Sequence, residues 1–294
     1  NRKIDYKINE NDTGKTVEGF LKERGYTHQV LVRLKQTDHG ILRNGIWAYT
    51  NERLCKDDLI TVQIVENECS DNIAPVNLPL DIAYEDDDII VINKPFDMPA
   101  HPSAGNHDNT LANALMYYYG SQNKPFVYRC INRLDRDTTG LTIVAKHALA
   151  GGILGNAVAK RAIHRTYYAV CSGCTPACMR ISAPIARKDA STIERCVDFK
   201  RGENAVTDFI RIKYNPDNNL SLVKLRLLTG RTHQIRVHMK YIGFPLIGDF
   251  LYNPDYTYIS RQALHSGRLV FTHPVTGQKM NLISDIPSDM KSLF

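Results

Sequence analysis

The sequence predicts an α+β fold, in which a larger domain built on a mixed, largely antiparallel β-sheet follows a small α/β domain. Short β-branched runs and short helical stretches occur in mixed order, which is typical of an α+β chain. The chain has 294 residues, more than one domain of typical size needs. Residues 66–80 mix acids, Asn and Pro without periodicity, which indicates an interdomain linker.

The small domain is predicted to span residues 1–65. Its expected elements are a helix over 16–25, a second helix over 29–35, a tight turn at Asn44-Gly45 and a strand over 59–65. This order of elements resembles the small RNA-binding domain that a ribosomal small-subunit protein shares with some tRNA synthetases. Eleven basic residues stand against nine acidic ones, so both an RNA-binding role and a purely structural one stay open.

The larger domain is predicted to span residues 81–294. Its expected elements are a strand over 89–95, a helix over 109–119 with Asn109 as its N-cap, a buried strand over 141–145, a helical stretch, a strand over 167–170, paired strands over 206–214 and 220–228, and a helix from near Thr232. The turn signal at 215–218 joins the paired strands, which indicates that they are antiparallel.

Positive charge is concentrated in two segments of a chain whose net charge is +6. Residues 160–188 contain six Lys or Arg and no acid, and residues 211–240 contain seven against one Asp. If the fold brings the two segments together, they form a phosphate-binding surface. Two separate solvated faces are the alternative.

The seven cysteines are an odd number spread over a long chain, which favours reduced thiols over a disulfide framework. Cys171 and Cys174 form a CxxC pair with Cys178 nearby, but no second pair completes four metal ligands, so no metal is predicted. No apolar run approaches the length that crosses a bilayer, and the first residues do not resemble a signal peptide. We therefore expect a cytoplasmic protein, and a monomer, because no coiled-coil pattern occurs.

The clearest candidate for chemistry is the segment 132–140, where Asp135 lies between Arg133 and Arg136. A carboxylate beside cations stays ionised and can act as a nucleophile or a base. On spacing alone, a turn closed by Gly140 is the simpler interpretation, because Asp and Gly are ordinary turn residues. The signatures of nucleotide hydrolases, dinucleotide-binding enzymes, zinc proteases and common serine hydrolases are missing from the sequence.

Three motifs together identify a family. They are RLDRDTTGL at 133–141, RTYYA at 165–169, and TGRTHQIRVH at 229–238, which is followed by PLIGD at 245–249. In this order they closely resemble the ribosomal-RNA and tRNA pseudouridine synthases of the RluA type. The resemblance covers about residues 81–294, and the small domain corresponds to the one that often precedes this catalytic domain.

The resemblance implies an enzyme that isomerises uridine to pseudouridine in structured RNA, with ribosomal RNA or tRNA as partner and no cofactor or metal. Asp135 matches the catalytic aspartate, which either attacks the anomeric carbon or removes the proton from the 2′ carbon of the ribose. Tyr167 matches the tyrosine that stacks on the uracil and is a candidate for removing the proton from carbon 5. A plain aromatic core residue is the alternative for Tyr167.

The resemblance also implies partners for the catalytic carboxylate and for the RNA. Arg236 matches the arginine that pairs with the aspartate, which keeps a carboxylate charged where water is excluded. Arg133 matches the residue that fills the gap left by the flipped nucleotide. Arg165, Arg231 and His233 are expected to bind substrate, and the latter two are candidates for phosphate contacts.

Two positions depart from the family pattern: Asn132 stands where the family usually has His, and Thr139 where it usually has Ser. Both replacements are small polar residues that suit a hydrogen-bonded turn, so we expect activity to survive. The alternatives are an RNA-binding protein of the same fold without turnover, and a hydrolase that would release free uracil.

Overall fold

The computed structural model describes residues 1–103, 105–189 and 193–294. Its N-terminal elements are, in chain order, β1 (Arg2–Lys7), α1 (Val17–Glu23), α2 (His28–Gln36), β2 (Ile41–Arg43), β3 (Ile46–Trp47) and β4 (Leu59–Ile64). The following elements are β5 (Ile82–Glu85), β6 (Ile89–Lys94), α3 (Leu111–Gly120), β7 (Arg129–Cys130), β8 (Thr139–Ala145), α4 (Ala148–Ala159), β9 (His164–Ser172), β10 (Cys178–Ser182), β11 (Ile185–Arg187), β12 (Arg195–Val197), β13 (Val206–Asn215), β14 (Leu220–Leu227), α5 (Gln234–Tyr241), β15 (Leu264–Thr272), β16 (Lys279–Ile283) and α6 (Ser288–Lys291).

Strands β1 to β4 form an antiparallel sheet in the order β1-β4-β2-β3, which shares one apolar core with α1 and α2. Asn44 and Gly45 both have positive φ, 53° and 84°, as the tight hairpin turn requires. The sequence did not predict β1. Only Ile4 of its six residues is buried, so β1 has too little apolar periodicity to be recognised without its partner β4.

Within the described residues, the larger sheet has ten strands, with the path β10-β13-β14-β9-β15-β8-β6-β5 and with β16 and β7 attached to β15 and β8. Every pair on this path is antiparallel except β15 with β8, which is parallel. The predicted mixed, largely antiparallel sheet is therefore confirmed. The paired strands predicted on either side of residues 215–218 are β13 and β14.

The parallel contact between β15 and β8 fixes the segment that precedes β8. Gly140 has φ +108°, and a Cβ atom on it would stand 2.3 Å from the carbonyl oxygen of Ser266. Only glycine permits this approach of two backbones. The turn that carries Asp135 is thereby held against the start of β15, close to the middle of the sheet.

Helix α3 begins one residue later than predicted. Thr110, rather than Asn109, is the N-cap, because its side chain accepts the Asn113 N–H at 3.3 Å while the Asn113 side chain accepts the Thr110 N–H at 3.1 Å. This reciprocal pair satisfies two backbone donors at once. None of the helices in the described part of the chain combines the length and apolar character needed to cross a membrane.

The predicted linker is held by hydrogen bonds, although the described residues between β4 and β5 form no helix or strand. Glu66 accepts hydrogen bonds from the Arg129 guanidinium and from the Ala148 N–H, both at 2.7 Å. The N-terminal apolar core also includes Leu149 of α4. The division into residues 1–65, 66–80 and 81–294 stays a prediction.

A buried carboxylate links β1 to the larger sheet. Arg2 donates two hydrogen bonds to Asp88, at 2.7 and 3.1 Å, and His147 donates from Nε2 at 2.9 Å, because its Nδ1 accepts the Ala150 N–H. Burial by itself would raise the pKa of Asp88, but the hydrogen bonds from His147 and Arg2 outweigh it and lower the pKa to about 2.

We expect Asp88→Asn to lower the free energy of unfolding at pH 7 by about 2 kcal/mol. A depressed pKa contributes its full stability above the unfolded value near 3.8, so the difference from wild type shrinks as the pH falls from about 4 towards 2. Urea unfolding at several pH values measures this. Asp87→Asn is the control, because its side chain is 79% exposed. Equal destabilisation by both variants would contradict the assignment.

Candidate active site

Asp135 lies in the turn between β7 and β8, with its side chain 31% exposed. Its neighbour Leu134 is buried in an apolar cluster, and the Thr138 N–H donates to the Asp135 carbonyl oxygen at 3.1 Å. The turn therefore fixes the backbone on both sides while the carboxylate stays accessible.

Arg236 of α5 approaches this carboxylate from 101 residues away in the sequence. Its side chain is 1% exposed, and its Nη1 donates to Asp135 Oδ2 at 2.9 Å. Its Nε and Nη2 donate to the two oxygens of Asp249 at 2.7 and 2.8 Å. Burial by itself would lower the pKa of Arg236, but the hydrogen bonds that it donates to Asp249 and the charge of Asp135 raise it. A permanently charged guanidinium thus bridges two carboxylates.

Asp249 is a site residue to which the sequence analysis assigned no role. Its side chain is fully buried, and it also accepts the backbone N–H groups of Leu251 and Tyr252 at 3.0 and 3.2 Å. These bonds fix the carboxylate that orients Arg236. Its place in the PLIGD segment was a signal, but only the folded chain shows which cation it binds.

His233 lies near the Asp135 carboxylate rather than out in solvent. Its Nε2 is 3.8 Å from Asp135 Oδ2, and its Nδ1 is 3.0 Å from the hydroxyl of Tyr252. Burial lowers the pKa of His233, which favours the neutral ring, and raises the pKa of Tyr252 to about 12. The Tyr252 ring lies 5.0 Å from the Arg236 guanidinium carbon, so it also covers that cation.

Tyr167 is 4% exposed and lies on β9 within the apolar cluster that contains Leu134 and Ile235. These two residues directly precede Asp135 and Arg236 in the sequence. Arg165, two residues earlier, is half-buried, and its Nη2 lies 3.3 Å from where a Cβ on Gly230 would stand.

The remaining predicted site residues take different surroundings. Arg133 is exposed. Arg231 is also exposed, donates to the carbonyl oxygen of Asn204 at 3.2 Å and forms an ion pair with Glu203. Asn132 is 3% exposed and points inward, where its Oδ1 accepts the Ile143 N–H at 2.8 Å. Asn132 therefore supports the turn as a structural residue.

Lys94 is a second residue without an assigned role in the sequence analysis. It is 1% exposed, and its ammonium donates to the carbonyl oxygens of Pro95, Met98 and Arg136 at 2.7, 2.8 and 2.9 Å. Burial lowers the pKa of Lys94 to about 7 against the opposing charges of Asp137 and Asp135. Because Arg136 directly follows Asp135, Lys94 connects the end of β6 to the turn that carries Asp135.

We expect Lys94→Met to lower both the free energy of unfolding, by about 1–3 kcal/mol, and kcat. The substitution removes the buried donor of three carbonyl oxygens. Lys146→Met is the matched control, because Lys146 is also largely buried but bonds to Glu85, which lies outside the turn that carries Asp135. Urea unfolding and turnover separate the two effects. A Lys94→Met enzyme with the kcat of the Lys146→Met enzyme would contradict a positioning role.

A cleft of about 510 Å³ is lined by residues that include Arg187, Arg195, Arg201, Arg231 and Glu203. The Arg195 N–H donates to the Tyr252 hydroxyl at 2.8 Å, which connects the cleft to His233. The two basic segments of the sequence are adjacent, because β9 pairs with β14 and β10 with β13. Four arginines against one glutamate line the cleft, so its lining carries an excess of positive charge.

One group among the described residues, Asp86, Asp88 and His273, brings three potential metal ligands within 4.8 Å of one another. His273 Nδ1 accepts the Thr276 N–H at 3.1 Å, so its Nε2 carries the proton and donates to Asp86 at 2.8 Å. Hydrogen bonding accounts for this group without a cation. All seven cysteines are free thiols, and of the CxxC pair Cys171 is buried while Cys174 is exposed.

Comparisons with known proteins agree with these motifs. A family described as RNA pseudouridylate synthase matches residues 88–241. The uncharacterized RNA pseudouridine synthase YjbO of Bacillus subtilis (strain 168) is 38% identical over 281 residues, which cover 95% of this chain and 98% of that protein. The ribosomal large subunit pseudouridine synthase D of Haemophilus influenzae is 41% identical over 245 residues, which cover 79% and 75%. A solved structure, human RNA pseudouridylate synthase domain containing 1, aligns with TM-score 0.59 and 26% identity over 70% of this chain and 83% of that chain.

Proposed function

Since the chain belongs to the RNA pseudouridine synthase family and isomerises uridine to pseudouridine in RNA, we propose that Asp135 is its catalytic carboxylate. The observation that carries this proposal is the ion-pair chain from Asp135 through buried Arg236 to buried Asp249. Such a chain keeps one carboxylate ionised, oriented and accessible, while the second carboxylate holds the cation in place.

The reaction keeps every carbon, nitrogen and oxygen atom of the uracil in the RNA. The bond from N1 to the anomeric carbon breaks, the uracil rotates, and a bond forms between carbon 5 and the anomeric carbon. The proton leaves carbon 5, and N1 gains a proton. Asp135 acts at the ribose, either on the anomeric carbon or on the 2′ proton, and Arg236 stabilises its charged form.

Tyr167 is proposed to stack on the uracil and to take the proton from carbon 5, directly or through water. Its membership in the apolar cluster that also contains Leu134 and Ile235 supports this role, because those residues directly precede Asp135 and Arg236 in the sequence. Tyr167→Phe keeps the ring and removes the hydroxyl, so it separates stacking from proton transfer.

Arg133, Arg165, Arg231 and His233 are proposed to act on the RNA. Exposed Arg133 is suited to occupy the space of the flipped nucleotide, which offsets the few kcal/mol that flipping costs. Arg231 lines the basic cleft and Arg165 lies over Gly230, positions that favour contacts with phosphates on either side of the target. The contact of His233 with Asp135 also gives it a part in orienting the carboxylate.

We expect Arg231→Gln to weaken RNA binding and to reduce the slope of log affinity against log salt concentration by about one. Each phosphate contact releases counterions when it forms, so a variant that lacks one contact releases fewer of them when it binds RNA. Filter binding between 50 and 300 mM salt, roughly the range over which such contacts lose strength, measures the slope. Arg180→Gln is the control. Arg180 lies on β10, pairs with Asp208 of β13 and does not line the cleft. Identical slopes for both variants would argue against a phosphate contact at Arg231.

The substrate is proposed to be structured ribosomal RNA or tRNA. Relatives whose names specify the ribosomal large subunit favour the first. We further propose that the enzyme works as a cytoplasmic monomer. The free thiols of all seven cysteines support the reducing compartment.

The experiment that tests this function uses unmodified large-subunit ribosomal RNA and tRNAs transcribed in vitro from one bacterial genome. After incubation with the enzyme, each RNA is digested and its nucleosides are separated. We expect pseudouridine and no free uracil. Free uracil would indicate the hydrolase, and RNA binding without either product would indicate the RNA-binding protein.

A further inference from the structure

Phe250 exposes an aromatic ring at the mouth of the site. The residue is 41% exposed, although it directly follows fully buried Asp249. Its ring centroid lies 5.4 Å from the guanidinium carbon of Arg136 and 5.4 Å from that of Arg236. It belongs to none of the apolar clusters formed by the described residues, so packing of the core does not account for it.

The two arginines place this ring beside the catalytic carboxylate. Arg136 follows Asp135 in the turn, and Arg236 is hydrogen bonded to Asp135. Arg136 keeps 44% of its side chain exposed while it pairs with Asp137. Any RNA strand that brings a uridine to Asp135 must therefore pass next to Phe250.

An exposed aromatic ring between cations is the arrangement that proteins use to hold unpaired bases. Every base has a π-face, and an aromatic partner is worth ~1–3 kcal/mol per base, whereas arginine attracts the neighbouring phosphate. The ring is also held in place, because each guanidinium interacts with its π-system.

We propose that Phe250 is the stacking platform for an RNA base adjacent to the flipped uridine, with Arg136 near the phosphate of that nucleotide. This inference rests on the proposed function and deepens it. The target uracil itself is assigned to Tyr167, which is 4% exposed inside the site, whereas Phe250 lies outside it. The platform makes the state of the neighbouring nucleotide part of substrate recognition: an unpaired purine, with the larger stacking surface, fits it best.

The test compares Phe250→Leu, Phe250→Tyr and Phe250→Trp on tritiated transcripts of large-subunit ribosomal RNA and tRNAs. We expect Leu, which preserves apolar bulk without a π-face, to raise KM by about 5- to 100-fold with kcat unchanged. Tyr and Trp should stay close to wild type. The control is Tyr117→Leu, which removes an exposed aromatic ring from α3 and should change neither constant.

Two results would overturn the platform: a wild-type KM for Phe250→Leu, or an equal loss for Leu, Tyr and Trp. The first would leave Phe250 free to contact a protein, and the second would indicate a structural role. Filter binding of the same transcripts separates the two proposals. If wild type shows no turnover but Phe250→Leu alone weakens binding, the platform stands and the proposed function fails. If wild type turns over and Phe250→Leu changes neither turnover nor binding, the proposed function stands and the platform fails.

Discussion

Asp135→Asn is expected to reduce tritium release from RNA labelled at carbon 5 of uridine by at least about 1,000-fold in kcat. The amide is neutral, so it neither attacks the anomeric carbon nor removes a proton from the ribose. The substitution should slow the chemical step without affecting folding or RNA binding. Asp135 is partly exposed, and Arg236 keeps its two hydrogen bonds to Asp249, so the fold and the affinity for RNA should stay near wild type.

Asp137→Asn is the control for this substitution, because it makes the same change two residues away in the same turn. Asp137 pairs with Arg136 and not with Arg236, so we expect its kcat to stay within about tenfold of wild type. Steady-state tritium release and filter binding measure both variants. If Asp137→Asn lost as much kcat as Asp135→Asn, the turn as a whole, rather than the Asp135 carboxylate, would be responsible.

Arg236→Met is expected to lower the free energy of unfolding by about 3–5 kcal/mol and to abolish turnover. Removing one partner of a buried ion pair leaves the other charge without compensation, and here Asp249 is fully buried while Asp135 loses its orienting donor. Arg236→Lys keeps a charge but not the bidentate geometry, so it should fold better than Met and still turn over slowly.

Two further variants separate folding from catalysis at this position. Adding Asp249→Asn to Arg236→Met removes the uncompensated charge, so the double variant should regain part of the lost stability in urea unfolding. It should regain no turnover, because Asp135 still lacks its cation. A double variant that is stable and active would show that Arg236 serves the fold alone.

The residues proposed for the active site could be chosen from the sequence because they lie in local motifs, and their catalytic roles stay a prediction. Asp135, Tyr167 and Arg236 each occur in a short recognisable segment. The family resemblance also implies that Asp135 pairs with Arg236, which lies 101 positions further along the chain. Lys94 and Tyr252 could not be assigned in this way. The role of Lys94 depends on the carbonyl oxygen of Arg136, a contact across 42 positions that no local pattern encodes.

Some elements of the fold could likewise be predicted from the sequence, and others could not. Elements with a strong apolar period or turn chemistry, such as the Asn44-Gly45 hairpin and the buried strand β8, lie where the sequence predicts them. Strand β1 was missed because a single buried residue leaves no period to detect. The N-cap of α3 was misplaced by one residue because Asn109 and Thr110 are both good caps, and the reciprocal bonds with Asn113 favour Thr110.

The central claim is that a carboxylate at Asp135 drives isomerisation without loss of the uracil. Its most direct test is a single turnover with enzyme in excess, in which the tritium released and the pseudouridine formed are counted on the same transcript. Wild type should release one tritium for each pseudouridine formed, with no free uracil, and Asp135→Asn should give neither product. Pseudouridine formed by Asp135→Asn at the wild-type rate would contradict the account.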